Sequence, residues 1–419
     1  MKVAIHTLGC KLNQAEGELL ADQFVEAGHS IVSGDGADIH VLNTCSVTHI
    51  ADRKSRHLVR LWGKKDPQAL IVATGCYAQR APQDLVKAGA GLVVNNEDKM
   101  RLLELLQIQD ALPARYSAVN STDERVGRVR SFIKIQDGCN DCCTYCVVPQ
   151  VRGRERCVAA PEVINEVKKR VSTGYKEIVL TGTKIGDYSH DGANLKDLME
   201  QVLAVKGLRR LHLSSLQPQD ISSTLLSLWQ DARLCRHFHL ALQSGTESVL
   251  KRMGRRYSLN DYRQAVSLIR KTVPDVAITT DIMVGFPAES VDEFENSYRF
   301  CREADFADIH VFSYSARPGT MAARMAGQVS DKLKKERSIR MLQLAKDSAR
   351  KFCESCLGRD LTVLWENEVE PGSGVYSGLS GNYIRVFTLS NKPLTNQVCQ
   401  TVPVRLHGGG LWVEVKGED

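Results

Sequence analysis

The sequence predicts an α/β protein in three parts: an N-terminal open parallel sheet flanked by helices, a central partial barrel of six βα units, and a small C-terminal antiparallel β-barrel. Three observations carry this. Residues 1 to about 105 alternate apolar strand patterns with amphipathic helical stretches, which implies a parallel sheet with helices on its faces. The alternation resumes from Ser131 to about Arg317 with six strand patterns. From about 358 the period changes to short strands between turns containing Gly, Pro and Asn. The predicted boundaries are 1–110, a linker 111–130, 131–327, a connecting helix 328–357, and 358–419.

In the first part, Lys2–Leu8, Ala37–Thr44, Leu70–Thr74 and Gly91–Asn95 read as strands, and Asn13–Ala27, Thr48–Lys64 and Pro82–Ala88 as helices. Cys10, Cys45 and Cys76 stand at the carboxyl ends of the first three strands. Ligands of open parallel sheets collect at that edge, and helix N-termini there favour thiolates. A single strand-end cysteine is usually a small core residue; the repeated position lets three distant cysteines meet around one metal cluster. Residues from about 106 to 130 carry neither period and read as a linker.

The second part opens with the strand pattern Ser131–Gln136, followed by Cys139-Asn140-Asp141-Cys142-Cys143-Thr144-Tyr145-Cys146. Cys139, Cys143 and Cys146 form C-x3-C-x2-C, with no fourth cysteine at ferredoxin spacing. Three thiolates so placed can hold three irons of a cubane iron–sulfur cluster and leave the fourth iron open to chelate a small molecule. A structural zinc site is the alternative, but it prefers four ligands in paired C-x2-C units. Cys142 and Cys157 are extra thiols and are read as non-ligands. The other strand patterns are Glu177–Leu180, Arg209–Ser214, Phe238–Leu242, Val276–Val284 and Asp308–Tyr314, separated by Pro161–Ser172, Leu195–Val205, Leu259–Lys271 and Val291–Glu303 as helices. Barrels of this kind place their chemistry on the loops after the strands. Those loops carry Thr181-Gly182-Thr183-Lys184, Ser214-Ser215-Leu216-Gln217, His239 through Gln243 to Gly245, Asp281 through Pro287, and Tyr314-Ser315-Ala316-Arg317.

Gln328 to Leu357 reads as a charged helix ending in Cys353 and Cys356, which without a second pair read as ordinary helix-end residues. Beyond it Asp360–Trp365, Asn382–Phe387, Val402–Leu406 and Leu411–Val415 read as strands.

Composition fits a soluble globular protein, with 43% hydrophobic and 25% charged residues. No apolar run approaches the roughly 20 residues that span a bilayer, and the N-terminus lacks a signal-peptide pattern. A cytoplasmic protein without membrane association is expected. Thirteen cysteines in that setting argue for metal or redox chemistry. The net charge of +6 suits a polyanionic partner. The basic runs at 125–130, 152–156, 168–170 and 251–256 read individually as solvated faces.

The C-x3-C-x2-C loop, with Tyr145 before its last cysteine, resembles that of the radical SAM enzymes, in which S-adenosylmethionine occupies the open iron and is split to a 5′-deoxyadenosyl radical. With Cys10, Cys45 and Cys76 ahead of it, the whole chain resembles the methylthiotransferases, which carry a second four-iron cluster in an N-terminal domain. Gly9-Cys10-Lys11-Leu12-Asn13, Asn43-Thr44-Cys45-Ser46-Val47-Thr48 and Lys134-Ile135-Gln136-Asp137-Gly138-Cys139-Asn140 resemble the branch acting on threonylcarbamoyladenosine in tRNA. The resemblance implies two [4Fe-4S] clusters, one on each cysteine trio, and two S-adenosylmethionine molecules, one donating methyl and one the radical. It implies S-adenosylmethionine contacts from Tyr145, Gly182, Thr183, Ser214, Ser215, Gln217, His239, Gln243 and Asp281, and substrate contacts from Arg152, Arg154, Tyr314 and Arg317. Gln217 departs from the family's usual acidic residue. The implied partners are the tRNA anticodon stem-loop, a reducing electron donor and a sulfur source. The last part resembles the TRAM domain, a small RNA-binding barrel, although from Gly358 onward it holds five basic and seven acidic residues. No general acid or base is required or assigned. Isopentenyladenosine in tRNA and a ribosomal protein are the alternative substrates; a non-enzymatic iron–sulfur RNA-binding protein or electron carrier is the alternative of another class.

Overall fold

The computed structural model describes residues 1–34, 36–108 and 129–417. Of the expected linker from about 106, residues 106–108 instead end a helix, Leu102–Ile108, and Arg130 begins a strand; residues 109–128 lie outside the described residues.

The N-terminal strands β1 (Lys2–Thr7), β2 (Ser30–Ile31), β3 (Ile39–Thr44), β4 (Leu70–Gly75) and β5 (Leu92–Val93) form one parallel sheet in the order β2-β1-β3-β4-β5. Helices α1 (Lys11–Glu26) and α2 (His49–Lys65) connect its central strands. Thr48 starts α2 by accepting the Ala51 N–H at 3.2 Å. Two elements were not expected. Strand β2 is a two-residue edge strand, too short for a readable period. Cys76 opens a helical turn, Cys76–Arg80, immediately after Gly75, whose φ of 96° turns the chain out of the sheet.

The central part has six parallel strands: Arg130–Lys134, Glu177–Thr181, Arg210–Leu213 with its continuation Ser215–Leu216, His237–Leu240, Ala277–Val284 and Asp308–Ser313. The third is interrupted at Ser214, so that Arg210–Leu213 pairs with the second strand and Ser215–Leu216 with the fourth. Alternate residues such as Ile178, Leu180, Phe238, Leu240, Ile278 and Ile282 pack under helices Ala160–Ser172, Leu195–Leu203, Leu259–Thr272 and Val291–Ala304. Three of those helices start at capping boxes, built on Asn194, Ser258 and Ser290. On the last three strands, intervening positions are polar at His237, His239, Thr279, Asp281 and His310.

The C-terminal barrel is closed, in the order Leu361–Glu368, Val375–Ser380, Arg385–Leu389, Gly410–Val415, Val398–His407. It has five strands where four were expected, and Arg385–Leu389 pairs with Gly410–Val415 in parallel, a departure from the purely antiparallel expectation. Val375–Ser380 escaped because its central Gly378 reads as a turn; a Cβ there would stand 2.8 Å from the Leu364 carbonyl oxygen. The buried Trp365 fills the barrel. Cys353 and Cys356, at the end of helix Asp331–Ser355, are buried in the same apolar cluster, as helix-end residues. Among the described residues no helix is long and apolar enough to cross a membrane.

The parts are joined by buried ions. Glu16 of α1 accepts from Lys99 at 2.5 Å and from Arg152 at 3.0 and 3.1 Å, with Lys134 at 3.5 Å. Arg152 also donates to Asp137 at 2.9 Å and to the Asn13 side chain. Arg170 joins Asp22 and Glu166, each at 2.6 Å. On the barrel side, Arg210 meets Glu177 at 3.0 Å and donates to the carbonyls of Leu379 and Ser380. Three cations hold the Glu16 carboxyl far below the ordinary carboxylate range against the cost of burial. Replacing Glu16 with alanine leaves Lys99 buried without its anion and Arg152 with Asp137 alone, at a cost of about 3–5 kcal/mol. The expected result is a lower denaturant midpoint for Glu16→Ala; an unchanged midpoint refutes this role.

Candidate active site

Cys10, Cys45 and Cys76 converge because their three loops interlock. Gly9, with φ of 97°, lies flat against Cys45: a Cβ on it would come within 2.7 Å of the Cys45 Sγ. Gly75 lies equally close to Thr44, where a Cβ would meet the carbonyl oxygen at 2.5 Å. The Asn13 side chain donates to the carbonyls of Leu8 at 2.8 Å and Thr44 at 2.9 Å, while Asn43 donates back to the Asn13 carbonyl at 2.8 Å. The Thr44 hydroxyl donates to the Thr74 carbonyl at 2.6 Å and accepts the N–H groups of Tyr77 and Ala78, both at 3.1 Å. The loops after β1, β3 and β4 are thus one hydrogen-bonded unit, with the three thiols close enough to act on one another electrostatically.

The second trio lies on the loop after the first central strand. Gly138 makes its tight turn possible: φ is 70°, and a Cβ would collide with the Arg154 carbonyl. Gln136 connects this loop to the next, donating to the Gly138 carbonyl at 2.9 Å and accepting the N–H groups of Thr183 and Lys184 at 2.8 and 2.9 Å. Asp141 is paired with Lys184 at 3.0 Å and Arg256 at 3.2 Å. From the other side, Arg255 donates to the Cys143 Sγ at 3.3 Å, its guanidinium 4.9 Å from the Tyr257 ring centroid.

All six thiols face an N–H donor, the environment that stabilises sulfur carrying negative charge. Backbone N–H groups serve Cys10 from Asn13, Cys45 from Val47, Cys139 from Asp141 and Cys146 from Val148. Arg255 serves Cys143, and the Asn96 side chain approaches the Cys76 Sγ at 3.9 Å. Burial nevertheless pushes the free thiols of Cys45 and Cys146 up to about 12, against the lowering expected at helix N-termini. Ligation must therefore displace protons from them. The donor chemistry fits thiolate ligands of iron–sulfur clusters at both trios. Cys76 packs on Val147 and Val151, so the second trio's own helix forms the partition between them.

The remaining candidates fall into two groups. Tyr145, Gly182, Thr183, Ser214, Ser215, Gln217, His239, Gln243 and Asp281 line strands and strand-end loops of the partial barrel. Tyr145 packs edge-on to Phe286, and the buried Ser214 hydroxyl has no protein partner. Gln243 takes a positive φ of 68° and pairs with the strand carrying Asp281. Of the expected substrate contacts only Arg154 is exposed. Arg152 is buried in the Glu16 cluster. Arg317 is buried on Asp52 at 2.7 Å, and Asp52 also takes Arg80 at 2.7 Å. Tyr314 is buried against Phe286. In this structure these three serve packing and interdomain pairing. The basic runs at 168–170 and 251–256 are likewise largely paired: Arg170 as above, Arg252 with Glu293 at 2.7 Å, Arg255 with Cys143.

The sequence reading missed Asp220. It accepts the Gln217 N–H at 2.7 Å, and a Cβ on Gly186 would overlap its carboxyl. An acid therefore does stand beside Gln217, three residues later. Burial and the neighbouring Asp187 raise the Asp220 carboxyl to about 6, with its Gln217 hydrogen bond opposing. The folded state consequently holds a proton that the unfolded state releases between about 4 and 6, and stability falls as pH rises through that window. Asp220→Asn removes this loss, so its melting temperature should gain on the parent as pH rises from about 4 to 6; a pH-independent difference would contradict the assignment.

Comparison with known proteins agrees with this geometry. Residues 2–95 match the family described as uncharacterized protein family UPF0004, and residues 133–301 match the Radical SAM superfamily. The chain is 37% identical over 381 residues to the threonylcarbamoyladenosine tRNA methylthiotransferase MtaB of Aquifex aeolicus, covering 87% of this chain and 92% of that protein. It is 34% identical to the Bacillus subtilis protein of the same name, covering 92% and 89%. A tRNA-2-methylthio-N(6)-dimethylallyladenosine synthase of Thermodesulfovibrio yellowstonii is 30% identical, covering 92% and 93%. In fold, the chain resembles the radical S-adenosylmethionine methyltransferase TsrM of Kitasatospora setae, with a TM-score of 0.57 at 14% identity over 90% of this chain and 80% of that one. Membership of the Radical SAM superfamily implies a [4Fe-4S] cluster and S-adenosylmethionine, which the open C-x3-C-x2-C trio suits. The chain is an enzyme and belongs to the radical SAM methylthiotransferase family.

Proposed function

We propose that this protein methylthiolates carbon 2 of threonylcarbamoyladenosine at position 37 of tRNA, with one [4Fe-4S] cluster on Cys139, Cys143 and Cys146 and a second on Cys10, Cys45 and Cys76. The observation that carries the reading is the pair of thiol trios, each with N–H donors, on either side of the Val147 and Val151 partition. When bound, the clusters and two S-adenosylmethionine molecules supply the sulfur, the methyl group and the radical. An electron donor and a sulfur source are required as partners. The name shared by the relatives at 34–37% identity supports the threonylcarbamoyl substrate over dimethylallyladenosine, named for relatives at 30–32%.

The polypeptide's share is placement and exclusion of water. Gln136 holds the cluster loop and the Gly182-Thr183 loop at a fixed spacing. Tyr145, Gly182, Thr183, Ser214, Ser215, Gln217 and Gln243 border the S-adenosylmethionine pocket, and Arg154 faces the substrate. The anticodon loop is single-stranded at the modified base, which can be splayed into such a pocket.

On the C-terminal barrel, Arg359 and Arg385 are paired with Asp275 and Glu366. Arg405, by contrast, lies 4.7 Å over the Trp412 ring, beside His407 and Phe387. This cation and aromatic group suits an unpaired nucleotide.

Nucleosides from total tRNA of cells with and without the protein decide the substrate by mass spectrometry. The methylthio derivative of threonylcarbamoyladenosine should vanish and its precursor accumulate; an unchanged level rejects the substrate. Replacing Cys10, Cys45 and Cys76 together by alanine should remove about half the iron, retain S-adenosylmethionine cleavage and abolish methylthiolation. Surviving methylthiolation rejects the second cluster. Arg405→Ala should reduce the salt dependence of tRNA binding by about one unit of slope; an unaltered slope removes Arg405 from the RNA contact.

A further inference from the structure

The inner face of the partial barrel carries a polar cluster that contains no cysteine. His239 on the fourth strand, Asp281 on the fifth and His310 on the sixth meet there. Asp281 and His310 are register partners, and His239 is paired with Thr279, two residues before Asp281. The His239 Nε2 stands 3.2 Å from one Asp281 carboxylate oxygen, and the His310 Nδ1 stands 3.4 Å from the other. One donor atom from each of the three residues lies within 4.8 Å of the other two.

We propose that His239, Asp281 and His310 bind one divalent transition-metal ion, of the zinc or ferrous class, with an open coordination position facing the barrel interior.

Four features support a metal site over a simple carboxylate bridge between imidazoles. The first is spacing. One donor atom from each residue lies within 4.8 Å of the others, a spread that small side-chain shifts bring to the about 3.3–3.6 Å between neighbouring ligands of a tetrahedral ion with bonds of about 2.0–2.2 Å. The second is the orientation of the buried ring by its far nitrogen. The His239 Nδ1 is held by the Thr279 hydroxyl at 2.9 Å, which also contacts the His237 Nε2 at 2.9 Å. Histidine ligands are commonly fixed in this way by a hydroxyl, carbonyl or carboxylate beyond the metal.

The third is donor type. Two imidazoles and one carboxylate suit zinc or ferrous iron and leave room for further ligands. The fourth is access. His239 is buried, while the His310 side chain is 49% exposed, so the cluster is anchored on one side and open on the other. The nearby charges are Asp281 and Asp308, opposed by Lys11 from the N-terminal part, whose ammonium lies 5.1 Å from the Tyr383 ring centroid. Without an ion, Asp281 favours the protonated form of His310. An ion takes the place of that proton. In this arrangement His239 and Asp281 act on the reaction pocket through the ion.

The site does not depend on which nucleoside is the substrate. Cluster-loaded protein is desalted anaerobically, equilibrated with zinc sulfate, desalted again and measured by elemental mass spectrometry. The wild type should retain about one more zinc per chain than His310→Gln or Asp281→Asn. The Cys142→Ser, Cys157→Ser double variant should keep that zinc. His310→Gln alters a half-exposed side chain, and unchanged iron and sulfide content verifies that its clusters are intact. Zinc X-ray absorption should show only nitrogen and oxygen neighbours. Thr279→Val should weaken retention by about 10–100-fold. No excess zinc in the wild type, equal zinc in both variants, or sulfur in the zinc shell would overturn the proposal.

Discussion

The buried carboxylate of Glu16 is the constraint on which the rest depends. It lies on the helix that follows Cys10, and its partner Arg152 lies on the helix that follows Cys146. Burying a lone carboxylate costs several kcal/mol, a large share of a domain's stability margin, and Arg152, Lys99 and Lys134 around the anion offset it. Those cations are equally dependent on Glu16. Sliding one part against the other would strand charges on both sides, and the relative position of the two thiol trios is thereby held by electrostatics as well as by the chain.

Within each trio the tolerance is set by backbone contacts. Gly9, Gly75 and Gly138 each occupy positions where a Cβ would overlap a neighbouring loop. Thr44 joins two loops through a single hydroxyl that both donates and accepts. Strand-end loops usually vary and move. Here they are packed and hydrogen-bonded like core, as thiols that must meet a common object in fixed geometry require.

The strands and most helices were legible because each announces itself locally, by a period of two or 3.6; the six thiols drew notice by a repeated position at strand ends or by spacing within one loop. The pairing of the buried arginines was not legible because their partners are remote. Arg152 and Glu16 are 136 positions apart, and Arg317 and Asp52 are 265. An arginine in a basic run looks solvated until the fold brings an acid to it. Asp220 was obscured similarly, because Gly186, which it packs against, lies on a separate loop. The inner-face histidines had a signal that was not used. His237 and His239 flank Phe238, and His310 stands two residues after Asp308, an alternation that places polar groups opposite the helix-covered face.

The same alternation separates two kinds of donor. Cysteines occur in the strand-end loops that form the trios, where helix starts and loop amides supply N–H groups to sulfur. Imidazoles and carboxylates occur inside the barrel, where neighbouring strands align their side chains at register positions. Soft thiolates select iron–sulfur chemistry, and nitrogen with oxygen selects borderline divalent ions. Mixing the sets would let a stray zinc ion compete for thiols that a cluster needs. Period-two patterning keeps His239, Asp281 and His310 on the strands' inner face, while Cys139, Cys143 and Cys146 extend beyond the strand end. A parallel barrel can thus keep chemically distinct donor sets apart on successive levels of its strands.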